Sequence, residues 1–408
     1  MLKKIEVGQL RVGMYIHELC SSWIDTPFWQ KSFMLNEIEE LKKIQNTKIR
    51  EAWIDTVKGL DVLPKAGNAP AQAIPATATS TSVQRQVTVV SMDEELGRAS
   101  MIVNKSKQAV YSMFNEARMG KAVDVENAQV LVEEIAESVM RNPGALIGLA
   151  RLKTKDDYTY MHSVAVCALM VALGKQLGLD EEQMREAGLA GLLHDIGKMA
   201  IPGDILNKPG KLTDEEFVSV KTHPAAGHKM LLEAKGVSNI TLDVCLHHHE
   251  KMDGSGYPER LQGDEISMYA RMGAVCDVYD AITSNRPYKQ GWCPAESLRK
   301  MAEWSNGHFD EKIFQAFVKS IGIYPVGTLV RLESGRLGVV IEQQTGKSLL
   351  LPKVRVFFST KSMGYIAPEL LDLAGPGLQD KIIAREDAVN WGLKDIGRYW
   401  LGDIAPSN

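Results

Sequence analysis

The stretch AGLAGLLHDIGKMAIPGDILNKPGKL, residues 187–212, decides how this chain reads. An apolar helical run ends on His194-Asp195, and Gly197-Lys198 follow at once. A neutral imidazole and a carboxylate from one helix turn can bind the same metal ion, and the two oxygens of a carboxylate can bridge two ions. Alone the pair is a weak signal, since an adjacent His-Asp is more often a polar surface pair.

The residues around it raise its weight. Seven of the nine histidines, His162, His194, His223, His228, His247, His248 and His249, fall within 88 residues. His162 opens the apolar helix SVAVCALMVALGKQL, His223 lies in KTHP, His248-His249 in CLHHHE and Asp277 in AVCDVYDAI. Histidines at the ends of apolar helices are costly to bury without partners, so a shared partner accounts for several at once. Four imidazoles besides His194, with the carboxylates of Asp195 and Asp277, can fill one site with two metals. His247 would point about 100° away from His248 on a helix and reads as solvated or supporting. His228, His17 and His308 have no motif around them. Cys245 and Cys276 flank ligand positions but read as small buried thiols.

Outward from this region the chain divides into segments. Residues 1–62 read as a small α/β module, with Leu35, Ile38, Leu41 and Ile44 on one helical stripe. Its WIDTPFWQKSF stretch, residues 23–33, reads as aromatic packing or a binding surface. Residues 63–90 are rich in small residues and proline and predict a flexible linker. Residues 91–144 read as a helical connector, Met92 to Gly120 and Val125 to Met140, closed by Asn142-Pro143-Gly144. The connector is placed to form a homodimer, to carry a signal from the N-terminal module, or simply to pack on its neighbour. Residues 145–324 are helical almost throughout. Residues 325–408 become β-rich, with period-2 runs around Glu333-Ser334-Gly335 and a short helix expected near Arg385 to Leu393. The fold class is therefore mainly α, with a small α/β module before the helical domain and a β-rich region after it.

Composition narrows the function classes. The 408 residues predict two or three domains at about 150 residues each. A net charge of −4 supplies no basic field, which argues against DNA or RNA as a partner. The charge-free run from Ser163 to Gly174 is shorter than the roughly 20 apolar residues of a membrane span, so no transmembrane segment is expected. The N-terminus lacks a signal-peptide pattern, which leaves the cytoplasm as the expected location. Cys20, Cys167, Cys245, Cys276 and Cys293 are odd in number and scattered, and predict neither disulfides nor a cysteine zinc site.

In order and spacing, His162, His194-Asp195, His223, His248-His249 and Asp277 resemble the HD superfamily of metal-dependent phosphohydrolases. Gly256-Tyr257-Pro258, within HHEKMDGSGYP, is similar to the motif that defines its HD-GYP branch, and DVYDAITSNRPYK is a further matching stretch. The resemblance covers roughly residues 145–325, and more faintly the accessory segments. It implies hydrolysis of cyclic di-GMP to linear pGpG, and on to GMP if breakdown is complete.

By the same resemblance His162, His194, Asp195 and Asp277 would hold one metal, and Asp195 would bridge to a second held by His223, His248 and His249. Iron or manganese is the implied occupant; an O/N ligand set fits that choice and leaves zinc, cobalt and nickel open. Two such ions would yield hydroxide at neutral pH to attack the phosphodiester and displace a ribose 3′-oxygen. The resemblance places Lys198, Arg286 and Lys289 on phosphate oxygens, with Asp280 orienting Arg286 or moving a proton. Gly254 and Gly256 would let the loop bend or pass close to substrate or backbone. Tyr257 would stiffen that loop, meet substrate, or present a surface to a diguanylate cyclase partner.

One departure stands out. Where some members carry a Glu for a third metal, four residues before His162, this chain has Tyr158, which predicts a binuclear site. Two alternatives remain open at this level. The chain could hydrolyse another nucleotide, such as cyclic GMP-AMP, or serve as a sensor or scaffold that binds cyclic di-GMP with little turnover.

Overall fold

The computed structural model describes residues 2–19, 33–35, 41, 44, 50–56, 58–60, 88–152, 158–208, 210–284, 291–344, 346–378 and 380–401. Arg286, Lys289, Cys20, Ile38, the linker up to residue 87 and all but Phe33 of WIDTPFWQKSF lie outside these residues. The chain forms two compact units, residues 1–84 and 85–408.

In the first unit β1 (Leu2–Glu6), β2 (Tyr15–Leu19), β3 (Phe33–Met34) and β4 (Glu51–Asp55) make an antiparallel sheet in the order β1-β4-β2-β3. Ala52 and Ile54 alternate with more exposed neighbours along β4, the period of a half-buried strand. They pack with Ile5, Met14 and Ile16, and with Leu35 and Ile44 of the expected stripe; Leu41 and Ile44 are helical.

The second unit is mainly helical. A capping box between Ser91 and Glu94 starts α1 (Met92–Arg118), and the Asp124 side chain caps α2 (Val125–Arg141). Asn142-Pro143 then does two jobs. It ends α2, and the Asn142 side chain with Pro143 in the first turn starts α3 (Pro143–Arg151). α4 (Tyr158–Leu177) is apolar on every side, the pattern of a buried core helix. By length and composition it could cross a membrane, unlike the shorter charge-free run within it, but 78% of its apolar window is buried inside this fold. Packed on it are α5 (Glu181–Leu193), α9 (Met268–Thr283) and α11 (Glu311–Ile321). Between α5 and α9 come a 3-10 turn (Ile196–Ala200), α6 (Asp214–Val220), α7 (His223–Leu232) and α8 (Asn239–His247); α10 (Pro294–His308) precedes α11.

The β-rich region is an antiparallel sheet in the order β8-β7-β6-β5-β9, from β5 (Leu329–Leu332), β6 (Arg336–Glu342), β7 (Lys353–Ser359), β8 (Gly364–Asp372) and β9 (Ile382–Arg385). The short helix expected from Arg385 to Leu393 does not form. Arg385 instead ends β9, paired with Val330, and only Val389–Trp391 makes a 3-10 turn, with Gly392 in the left-handed region after it. Sheet pairing and the Trp391 Nε1–Glu386 hydrogen bond of 2.9 Å outweigh local helix preference here. The connector and the β-rich region are also less separate than their sequences read. Leu96, Val110 and Ile135 share one core with Cys167, Leu192, Leu337, Phe357 and Trp400.

Candidate metal centre

Asp195 is the middle of the site, and two glycines explain how the chain reaches it. A Cβ on Gly197 would lie 1.9 Å from the His223 carbonyl oxygen, so only glycine lets the 3-10 turn after Asp195 pack on the start of α7. That contact brings His223 to Asp195. A Cβ on Gly256 would come within 2.5 Å of Glu250 Cα and Lys251 N, so the loop after His249 closes back on its own backbone there. Gly254 supplies the bend, with a φ of 77°. Of the readings open for these glycines, the structure gives a bend and a close approach to backbone.

The fold brings all seven proposed ligands together. His162, His194 and Asp277 form one triad and His223, His248 and His249 another; the ligand atoms within each triad lie within 4.8 Å of one another. Asp195 stands between them. Its Oδ2 is 3.3 Å from both His162 Nε2 and His194 Nε2, while its Oδ1 is 3.2 Å from His223 Nε2 and 3.8 Å from His248 Nε2. Asp277 Oδ1 is 3.0 Å from His162 Nε2, and its Oδ2 is 3.8 Å from His249 Nδ1.

Hydrogen bonding fixes four of the rings. His194 Nδ1 donates to the Gly191 carbonyl at 2.8 Å, His223 Nδ1 to Val220 at 2.7 Å and His248 Nδ1 to Val244 at 3.0 Å. A carbonyl only accepts, so each Nδ1 carries the proton and each Nε2 keeps a lone pair aimed inward. His162 Nδ1 lies 2.6 Å from Asp280 Oδ2, which orients it in the same way. Asp280 therefore supports a ring across 118 residues of sequence, a contact the sequence reading did not assign to it.

The charge balance suits a cation. Burial opposes ionisation of Asp195, yet Lys198 and His194 hold its carboxyl well below the usual carboxylate range. Asp277 is held low as well, against burial, mainly by its hydrogen bond with His162. Burial takes His248 well below an ordinary histidine, and takes His249 down to about 3 despite Asp277. Ionised carboxylates and neutral imidazoles are the forms that bind metal. Burial would also lower His162, but Asp195, Asp277 and Asp280 raise it to about 10, so a cation bound among these carboxylates would have to take the place of the proton on its Nε2. Among the described residues, His194 Nε2 and Asp195 Oδ1 are buried without a hydrogen-bond partner, as atoms that ligate a metal would be. These residues fit a metal site of the HD-domain type.

Other expected residues fall around this centre. Lys198 Nζ meets Asp195 Oδ2. The Tyr257 ring stacks on His249, with centroids 4.7 Å apart. Tyr158 stacks on His162 at 5.9 Å, with the rings 6° from parallel. His247 turns away, to Asp243 at 2.8 Å and Glu259 at 3.3 Å. Cys245 and Cys276 are buried, and burial pushes both thiols up, away from the thiolate that binds metal.

Glu250 is a residue the sequence reading passed over. Its Oε1 accepts from the Glu259 and Arg260 backbone N–H groups at 2.7 and 3.0 Å, tying the Gly256-Tyr257-Pro258 loop to the residue after His249. Its burial beside two histidines was no more visible in HHHE than that of any loop glutamate; adjacency to the ligands was the one usable signal.

Comparison with known proteins agrees with this centre. An "HD domain" family model matches residues 133–313, and a "Domain of unknown function (DUF3391)" model matches residues 2–128. The cyclic di-GMP phosphodiesterase PA4108 of Pseudomonas aeruginosa is 54% identical over 98% of this chain and 96% of its own length. The cyclic di-GMP phosphodiesterase response regulator RpfG of Xanthomonas campestris is 37% identical over 50% of this chain and 54% of its own. The 3′3′-cGAMP-specific phosphodiesterase 1 of Vibrio cholerae is 38% identical over 41% of this chain and 38% of its own. With the HD model over the helices that build the centre and a relative similar along nearly the whole length, the chain belongs to the HD-GYP type of HD-domain phosphodiesterases, with a DUF3391 domain at its N-terminus.

Proposed function

We propose that this chain hydrolyses a phosphodiester of cyclic di-GMP to linear pGpG, using two divalent cations that share Asp195. The single observation that carries the binuclear reading is the direction of the two Asp195 oxygens, Oδ2 toward the His162–His194 side and Oδ1 toward His223 and His248. The substrate comes from the family and from the near full-length similarity to PA4108, whereas the match to the cGAMP-specific enzyme spans 41% of this chain.

In this reading His162, His194 and Asp277 hold one ion and His223, His248 and His249 the other. Bound there, the pair would acidify a water to serve as nucleophile and offset charge on the phosphate. The chain's own residues do the rest. Lys198 neutralises part of the Asp195 charge, and its remaining donors would meet a phosphate oxygen of the substrate. Asp280 keeps the His162 lone pair aimed inward. Arg286 and Lys289 are the further phosphate contacts in this proposal, and the Tyr257 loop is the surface offered to a diguanylate cyclase. Iron or manganese suits the N/O donor set. With Tyr158 where a third carboxylate ligand would stand, two ions per chain and pGpG as product are expected.

The test is chromatography of products from cyclic di-GMP, with metal quantified in the same anaerobically purified sample. Release of pGpG at two ions per chain is the expected result. Intact substrate beside an active control would end the functional reading, and three ions per chain the binuclear one.

A further inference from the structure

We propose that Lys221 reads a guanine of the substrate and so sets base specificity; the proposal rests on the reading of this chain as a cyclic di-GMP hydrolase. Lys221 follows α6 directly and stands two residues before His223. Its Nζ lies 5.3 Å from the centroid of the Tyr257 ring and 4.7 Å from that of Phe217. Because Tyr257 stacks on His249, a continuous series runs outward from the metal ligands: His249, Tyr257, Lys221, Phe217. Phe217, at the outer end, is 47% exposed.

The chemistry of that series fits a nucleobase. Aromatic rings attract any base; Tyr257 has His249 on one face and Lys221 over the other, so the exposed Phe217 ring supplies that affinity without choice. The ammonium between them supplies choice. Among the described residues Lys221 makes no ion pair with a carboxylate, so its three N–H donors are held by ring faces alone and are open to a ligand's acceptors. Guanine presents O6 and N7, both acceptors, on one edge, while adenine places an N6 amino donor where O6 would be. An ammonium there attracts the first and is opposed by the second. A dinucleotide whose phosphate meets the metal pocket would carry its bases about a ribose away, and the proposal places one of them beside Tyr257, which stacks on the metal-site residue His249.

A plainer role for Lys221 is a clamp that holds the Tyr257 loop to α6 by cation–π contact. The two roles separate in a ratio. For metal-loaded full-length parent, Lys221→Met and Lys221→Arg, kcat/KM is measured on cyclic di-GMP and on cyclic di-AMP; if cyclic di-AMP is not turned over, its Ki as a competitive inhibitor takes that place against the cyclic di-GMP KM. Each ratio comes from one preparation, so a partly misfolded variant does not distort it. Base reading predicts that Lys221→Met lowers the preference for cyclic di-GMP by about tenfold, the scale of one good base contact, while Lys221→Arg keeps it because a guanidinium also meets O6 and N7. An unchanged preference in Lys221→Met, whatever its total activity, overturns the proposal in favour of the clamp. Parent enzyme that leaves cyclic di-GMP intact overturns the functional reading itself, and does so before any variant is compared.

Discussion

The two triads of the metal centre are built differently. His162 and Asp277 stand on the long helices α4 and α9, His194 directly follows α5, and a buried carboxylate, Asp280, holds the first ring. His223 opens its helix, while His248 and His249 come after the end of theirs; His249 is 23% exposed at its side chain and covered by a loop. One half is fixed by the core of the fold. The other is fixed by helix ends and by a loop that Glu250 fastens. The difference places rigidity on one side of Asp195 and access on the other, which is what a site needs when it must hold charge firmly and still admit a dinucleotide.

The strongest way to break this comparison is to remove what both halves share. Asp195→Asn keeps the shape but loses the charge that faces both triads, and turnover should fall by about 10³-fold, the scale of losing a principal electrostatic group. Metal content should drop at both positions together. Retention of one tightly held ion would mean that the first triad is complete without Asp195. Asp280→Asn touches only the core-fixed half. Loss of a supporting partner of a metal-binding histidine typically costs about 10–100-fold in affinity or activity. Metal titration should therefore show one weakened ion and one unchanged, and equal weakening of both would erase the distinction between the halves.

The loop-fixed half is probed by Glu250→Ala. The buried carboxylate accepts two part-buried backbone N–H groups of the loop, and each such hydrogen bond contributes about 0.5–1.5 kcal/mol. Urea denaturation should show a loss of that size, with KM rising more than kcat falls, because the ligands remain while the loop over His249 loosens. A variant as stable as the parent would assign the anchoring to the Tyr257–His249 stack instead.

How much of this was readable in advance follows the same division by physical cause. Residue identity alone does not separate the candidate ligands from His228 or His247, but few residue types bind metal, and in order and spacing His162, His194-Asp195, His223, His248-His249 and Asp277 resemble the HD superfamily, so they declared themselves as candidates. Their supports did not. Asp280 reaches His162 across 118 residues, and an aspartate carries no mark of which ring it will meet. Helix and strand positions through α1, α2 and the β5–β6 hairpin followed from breakers and period. The shared core of Leu96, Leu192 and Phe357 did not, since apolar residues state that they are buried and not against what. The missed strand at Arg385 has the same origin: its partner Val330 is distant in sequence.

The smallest effect expected concerns pH and the far side of the loop. His308 accepts through its carbonyl oxygen from the Met252 N–H at 3.3 Å, and its ring stacks on Phe309 with centroids 4.2 Å apart. Burial, assisted by Lys251 and opposed by Asp253, lowers this ring from an ordinary 6.5 to about 4. Between those values the unfolded chain binds a proton here that the folded chain excludes. Stability therefore rises with pH across that window and is lost as pH falls through it. The ring is only partly buried, so solvent screening keeps its share modest. His308→Phe retains the stacking and the backbone contact and removes the proton. Urea midpoints at pH 7 and pH 5 should thus separate less for the variant than for the parent, and because both proteins keep the same metal-site histidines, the difference between them isolates His308. Equal separation in the two proteins would place the acid sensitivity of this half in His248 and His249, on the ligand side of the loop.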